Sequence, residues 1–191
     1  ERRLFAGLGF RLEAGELLYL QGKNGAGKTS LLRMLIGLLP PESGEIRWRG
    51  QSIKSDEFRA ELCYLGHLNG LQESMTVREN LAFTTALRGH ACTAKAVSAT
   101  LERFGVAGRA GHLVRHLSQG QKRRVALARL SLAPARLWVL DEPFVAMDDT
   151  GIQMLSGLIA QHLAHGGICV LTSHQSVTIG TVPAQTLELR A

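Results

Sequence analysis

Apolar residues fall along this chain in two rhythms. The unbroken runs Leu17-Leu18-Tyr19-Leu20, Leu137-Trp138-Val139-Leu140 and Ile168-Cys169-Val170-Leu171 have the length and residue types of strands buried on both faces. Between them the spacing is helical. Leu31, Leu32, Leu35 and Leu38 mark one buried face of a helix over residues 28–38, which Pro40-Pro41 stops. Further helices are expected over residues 119–132, before Pro134, and over residues 151–165, before Gly166-Gly167. Near the start, Leu8 and Phe10 alternate with small or polar neighbours and predict short strands, and another strand is expected over residues 46–49. Residues 75–116 read as helical, rich in Ala, Leu and Arg, with breaks at Gly89 and between Gly105 and Gly111. Alternating buried strands and helices predict an α/β fold, a parallel or mixed sheet flanked by helices. The expectation is one domain over residues 1–191, with a small helical subdomain inserted at about residues 67–131.

Composition narrows the class. With 191 residues, 45% hydrophobic and 20% charged, the chain can bury one sizeable core and is not intrinsically disordered. Its 21 glycines and 5 prolines follow no period, which excludes a collagen-like chain. Lys plus Arg at 22 against Asp plus Glu at 16 gives a net charge of +6, which suits an anionic partner: nucleic acid, a phosphorylated ligand or an anionic membrane surface. Aromatic residues at 5% weaken the case for single-stranded nucleic acid, whose bases stack on aromatic side chains. Cys63, Cys92 and Cys169 are far apart and in no CxxC pairing, so neither a disulfide framework nor a zinc site is expected, and a reducing interior fits. No apolar run approaches the roughly 18 to 20 residues that cross a bilayer. The chain begins at Glu1 without a basic-then-apolar leader, so no signal peptide is expected, and a first strand is expected to lie upstream.

Gly22-Lys23-Asn24-Gly25-Ala26-Gly27-Lys28-Thr29 matches the phosphate-binding pattern GxxxxGK[ST] and lies between a predicted strand and a predicted helix. The glycines let successive backbone N–H groups, including those of Asn24, Ala26 and Ser30, face one anion at a helix N-terminus. Lys28 is placed to reach the β- and γ-phosphates, and the Thr29 hydroxyl to ligate Mg²⁺. Charge-assisted hydrogen bonds of about 1.5–3 kcal/mol each give several of them the scale of a micromolar complex, roughly 8 kcal/mol.

The strand 137–140 runs into Asp141 and Glu142, the Walker B pattern of P-loop ATPases. Asp141 can hold Mg²⁺, and Glu142 can orient and deprotonate the water that attacks the γ-phosphate. Just upstream, Leu117-Ser118-Gln119-Gly120-Gln121 opens a basic helix carrying Lys122, Arg123, Arg124 and Arg129, cations that either add to a phosphate field or are solvated. Ser118 and the Gly120 N–H at a helix start suit a phosphate. His112 with His116 and His162 with His165 have helical spacing but no neighbouring acidic or thiol ligands, a weak basis for a metal site.

In this order the three motifs resemble the ATP-binding cassette (ABC) ATPases, whose signature is LSGGQ. The resemblance covers nearly the whole chain. It implies ATP and Mg²⁺ as cofactors, and a head-to-tail dimer in which Ser118, Gly120 and Gln121 of one copy close over ATP held by the other. Ala146-Met147-Asp148 resembles the family's D-loop, and His174 its switch histidine that contacts the γ-phosphate. His67 stands where most cassettes carry a glutamine that senses Mg²⁺ and the membrane subunit, and Gln119 replaces the signature's first glycine. The aromatic that stacks on adenine would lie upstream, and Phe5 is too near the P-loop to replace it.

The segments Tyr64-Leu65-Gly66-His67, Arg123-Arg124-Val125-Ala126-Leu127-Ala128-Arg129-Leu130 and Leu171-Thr172-Ser173-His174-Gln175 are similar to the branch serving bacterial cytochrome c biogenesis haem export. That branch implies an ATPase bound to integral membrane subunits at the cytoplasmic face of the inner membrane, with no nucleic-acid partner. The alternative is a soluble ABC ATPase acting on ribosomes or chromosomes, which the +6 charge favours. Against it stand the short span from Thr29 to Leu117, too small for a coiled-coil insertion, and the single cassette.

Overall fold

The structure, a computed structural model, describes residues 4–132, 134–173, 178–180, 182 and 184–189. The chain forms two compact units, one from residues 1–64, 135–143 and 156–191, the other from residues 65–134 and 144–155.

The first unit is built on a five-stranded sheet. In chain order its strands are β1 (Leu17–Gly22), β4 (Leu62–Leu65), β5 (Leu137–Leu140), β6 (Ile168–Thr172) and β7 (Ala184–Leu189), and their spatial order is β4-β5-β6-β1-β7. Pairing is parallel between β1 and β6, β1 and β7, and β5 and β6. All of β5 and nearly all of β6 are buried, the environment their unbroken apolar runs require. Helix α1 (Lys28–Leu35) and helix α2 (Asp56–Glu61) contribute Leu31, Leu32 and Phe58 to a core with Leu18, Leu20, Val139 and Val170. Each such side chain contributes about 1.5–3 kcal/mol on leaving water.

Helix α1 ends earlier than residue 38. Gly37 adopts φ 77°, and the N–H groups of Leu38 and Leu39 turn back to the Arg33 carbonyl, leaving Leu38 70% exposed. The last position of the apolar series therefore lies beyond the helix. The strands expected around Leu8 and Phe10 do not form: residues 5–13 join no ladder and bend at Gly7, which has φ 63°, and no neighbouring strand pairs with them among the described residues. Leu8 and Leu12 nonetheless pack on the core. Of residues 46–49, only Arg47–Trp48 is strand, β2, paired antiparallel with β3 (Gln51–Ser52). Arg49 and Gly50 at the turn both have positive φ, the conformation a two-residue hairpin favours. Glu61 pins this hairpin, accepting from Trp48 Nε1 at 2.7 Å and Arg49 at 3.0 Å.

The second unit contains α3 (Val77–Leu87), α4 (Ala94–Arg103), α5 (Gln119–Ala128) and the first turns of α6 (Asp149–Ala164). Helices α3 and α4 stop just before Gly89 and Gly105, which take positive φ. Thr76 and Glu79 form a reciprocal cap at the start of α3, and buried Asn80 ties the 72–76 turn to that helix. Val77, Leu81, Val97, Leu101 and Phe104 are buried at helical spacing.

Candidate nucleotide site

β1 ends at Gly22 and α1 begins at Lys28, so the glycine-rich segment is the strand-to-helix turn the motif requires. Gly22, Gly25 and Gly27 have φ of 146°, 82° and 97°. At Gly22 the need is also spatial, because a Cβ there would lie 2.7 Å from the Leu189 carbonyl oxygen. A Cβ at Gly27 would meet Phe5 at 3.1 Å. Phe5 packs against the core beside the P-loop. The buried Lys28 ammonium donates to the Gly22 and Lys23 carbonyls at 2.6 and 3.3 Å, curling the loop around its own cation.

The acid pair stands at the end of β5. Asp141 is buried, and its two carboxylate oxygens face different threonines. Oδ2 accepts from Thr29 Oγ1 at 3.0 Å, and Oδ1 accepts from Thr172 Oγ1 at 2.8 Å. Glu142 follows with φ 48°, a left-handed conformation uncommon for a residue with a Cβ, and its N–H donates to Thr172 Oγ1 at 2.7 Å. The fold thus joins Thr29 to Asp141 across 112 residues of sequence and sets Glu142 beside them. His174 lies outside the described residues.

Thr172 was not among the expected site residues. In the β5–β6 register Leu140 faces Leu171, so the first polar residues after the two apolar runs, Asp141 and Thr172, come together only when the two strands pair.

The signature residues belong to the second unit. Ser118 caps α5, accepting from the Gln121 N–H at 3.2 Å, while Gln121 Oε1 accepts from the Ser118 N–H at 3.0 Å. Gln119 is exposed, and a Cβ at Gly120 would sit 3.5 Å from the Ala146 carbonyl oxygen. Exposed His67 is the second residue of the loop that follows β4.

The helix expected to reach residue 132 ends as α5 at Ala128, and its cations, with Arg129 at the cap, are engaged within this unit. Arg123, 5% exposed, donates to Gly66 O and Asn69 Oδ1 at 3.3 and 3.2 Å. Arg129 donates to the carbonyls of Asn69 and Gly70 at 2.5 and 3.3 Å. Arg124 reaches Asp148 at 2.6 Å and Lys122 reaches Glu73 at 2.6 Å. Neither a free phosphate field nor simple solvation describes these residues; they tether the 66–73 loop and the segment before α6. Asp148 also accepts from the Gly151 N–H at 3.0 Å, and this bond, with the Arg124 charge, holds its carboxyl below the ordinary aspartate range. Ala146, two residues before it, has φ 61°.

Among the described residues no helix is long and apolar enough to cross a membrane, and no group of His, Cys, Asp and Glu could hold a metal by itself.

A family model described as ABC transporter matches residues 5–145. Over its whole length the chain is 64% identical to the cytochrome c biogenesis ATP-binding export protein CcmA of Albidiferax ferrireducens, covering 91% of that protein. It is 59% identical to the protein of the same name from Dechloromonas aromatica, over 95% of this chain and 91% of that one. Among solved structures, a putative ABC transporter ATP-binding protein from Pyrococcus furiosus superposes with a TM-score of 0.80 at 28% identity, over 93% of this chain and 86% of that one. The ATP-binding subunit of another ABC transporter gives 0.81 at 26% identity, over 95% and 80%. The chain belongs to the ABC transporter family of ATP-hydrolysing proteins, in its group of cytochrome c biogenesis ATP-binding export proteins.

Proposed function

We propose that this chain is the ATPase subunit of a cytochrome c biogenesis haem-export complex, in which ATP sandwiched between two head-to-tail copies drives integral membrane subunits. The observation that carries the chemistry is the placement of Thr29, Asp141 and Glu142 around the end of β5. The name shared by close relatives supports the transport role. The chain is read as one ABC domain with its helical part near residues 67–131, bound peripherally at the cytoplasmic face of the bacterial inner membrane. No nucleic-acid partner is invoked.

Gly22, Asn24, Gly25, Ala26, Gly27 and Ser30 line the phosphates with backbone N–H groups. Lys28 exchanges its loop carbonyls for the β- and γ-phosphate oxygens. Thr29 and Asp141 offer the hard oxygen donors that suit Mg²⁺: the Thr29 hydroxyl would hold the ion, and Asp141, which accepts from that hydroxyl, would hold it through water. When bound, Mg²⁺ offsets charge on the β- and γ-phosphate oxygens. Glu142 orients the attacking water and takes its proton, and His174 contacts the γ-phosphate. Ser118, Gly120 and Gln121 act on the nucleotide of the other copy. His67 takes the place of the usual glutamine facing nucleotide and membrane subunit.

The soluble reading on ribosomes or chromosomes drew on the net charge. Arg123, Arg124, Arg129 and Lys122, four of the 22 Lys and Arg residues, have partners within their own unit, so the excess charge open to a polyanion rests on other cations.

Glu142→Gln tests the assignment. Turnover is expected to fall at least about a hundred-fold, the scale of a lost general base, while ATP stays bound and the closed dimer accumulates. Hydrolysis at the wild-type rate would remove Glu142 from the base role.

A further inference from the structure

Thr172 ends β6 fully buried, and its hydroxyl lies between the Asp141 carboxylate and the main-chain N–H of Glu142. A threonine hydroxyl has one proton to give. That proton goes to Asp141 Oδ1, so the same oxygen must accept from the Glu142 N–H. With Thr29 holding Oδ2, each oxygen of the Asp141 carboxylate is fixed by a different threonine, and the plane of the carboxylate is set. The second bond falls on a residue at φ 48°, where the backbone gains from an added restraint.

We infer that Thr172 is a positioning residue for ATP hydrolysis: its hydroxyl sets the Asp141 carboxylate toward Thr29 and the backbone that presents Glu142. The inference rests on the proposed roles of Asp141 and Glu142. A buried threonine serving only as core would behave differently, since valine has its shape and the methyl group that replaces the hydroxyl suits an apolar interior.

The test compares Thr172→Val, Thr172→Ser and Thr172→Ala in the full-length protein. It measures kcat and KM for ATP, the Mg²⁺ concentration for half-maximal rate, and equilibrium ATP binding with Mg²⁺ and with chelator, using the thermal midpoint as a folding control. For Thr172→Val, kcat is expected to fall roughly ten- to a hundred-fold, the scale of small misplacements at a reacting centre. The Mg²⁺-dependent gain in ATP affinity should shrink, while ATP binding in chelator stays within about two-fold, the phosphate loop being unchanged. Thr172→Ser should restore both. A change in either readout that serine reverses supports the inference. Wild-type values in Thr172→Val, or a serine variant as impaired as valine, overturn it. If the valine protein does not fold, alanine and serine decide in the same way: equal behaviour overturns, alanine alone impaired supports. Glu142→Gln is run alongside. Wild-type hydrolysis by that variant would defeat the proposed base role itself, whereas an inactive Glu142→Gln with a normal Thr172→Val defeats only the role of Thr172.

Discussion

The Arg124 guanidinium and the Asp148 carboxylate meet at 2.6 Å, joining the helix that Ser118 opens to the turn that starts α6. Asp148 does two jobs, because the same oxygen also accepts from the Gly151 N–H. Asparagine keeps the capping acceptor and removes the charge, whereas alanine removes both. Thermal denaturation at neutral pH should therefore rank wild type above Asp148→Asn, and Asp148→Asn above Asp148→Ala. The carboxyl is held below its usual range first by the Gly151 N–H and then by Arg124, so its contribution is present above about pH 4 and is lost as pH falls through the folded-state value. In acid wild type and Asp148→Asn should converge, both staying above Asp148→Ala by the uncharged cap; an advantage of wild type over asparagine that persists at pH 2 would contradict this account.

Arg123 and Asn69 make a second tether. Arg123→Met leaves the Gly66 carbonyl and the Asn69 side chain without this donor, and should cost roughly 1.5–3 kcal/mol, the range for hydrogen bonds to charged groups. Limited proteolysis is expected to cut earlier within residues 66–70, because local opening there loses one of its restraints. Unchanged cleavage at that loop would show that Arg129 alone holds it.

Two glycines of the P-loop separate space from conformation. Both Gly22 and Gly25 have positive φ, but a Cβ at Gly25 meets nothing within 4 Å, whereas one at Gly22 runs into the Leu189 carbonyl of β7. Gly25→Ala should cost only about 1–2 kcal/mol, the penalty for a left-handed residue. Gly22→Ala should lower the unfolding midpoint further and disturb the β1–β7 pairing that runs from Leu17↔Ala184 to Gly22↔Leu189. Denaturant titration of the two variants checks the order.

Trp138 and His162 stack with ring centroids 3.8 Å apart and planes within 5°. Gly167 permits this arrangement, since a Cβ there would fall 2.2 Å from the imidazole. Burial holds His162 below its usual pKa, so the unfolded chain takes up a proton first as pH falls below about 6.5. Stability is then fully present above that pH and declines below it. His162→Phe, which keeps an aromatic partner for Trp138, should flatten the decline in unfolding free energy between pH 7 and 5.

Strands β5 and β6 were legible to within a residue, because a strand buried on both faces leaves an unbroken apolar run. Strand β7 was not: Ala184–Leu189 alternates exposure at the sheet edge and carries Gln185, Thr186 and Glu188, so only its pairing with β1 marks it. Helix α2 was missed for a similar reason, being six residues with a single buried side chain, Phe58. The P-loop and the acid pair could be read because their chemistry demands fixed residues at short spacing. Thr172 is tied to Asp141 across 31 residues, and that link exists only once β5 and β6 lie side by side. The arginines of α5 and Arg129 after it were visible as charge, but several of their acceptors, the carbonyls of Gly66, Asn69 and Gly70, are main-chain groups, which a sequence never advertises.

The second unit is assembled from two separate stretches, residues 65–134 and 144–155, with β5 of the other unit written between them. On the ribosome, α3, α4 and α5 emerge before Asp148 exists, so Arg124 must wait for its partner until the whole of β5 and the acid pair have been synthesised. Completion of the helical unit is thereby timed by translation of the strand that carries Asp141, and a genetic excision of residues 65–134 would yield helices whose α5 cation has lost its anion.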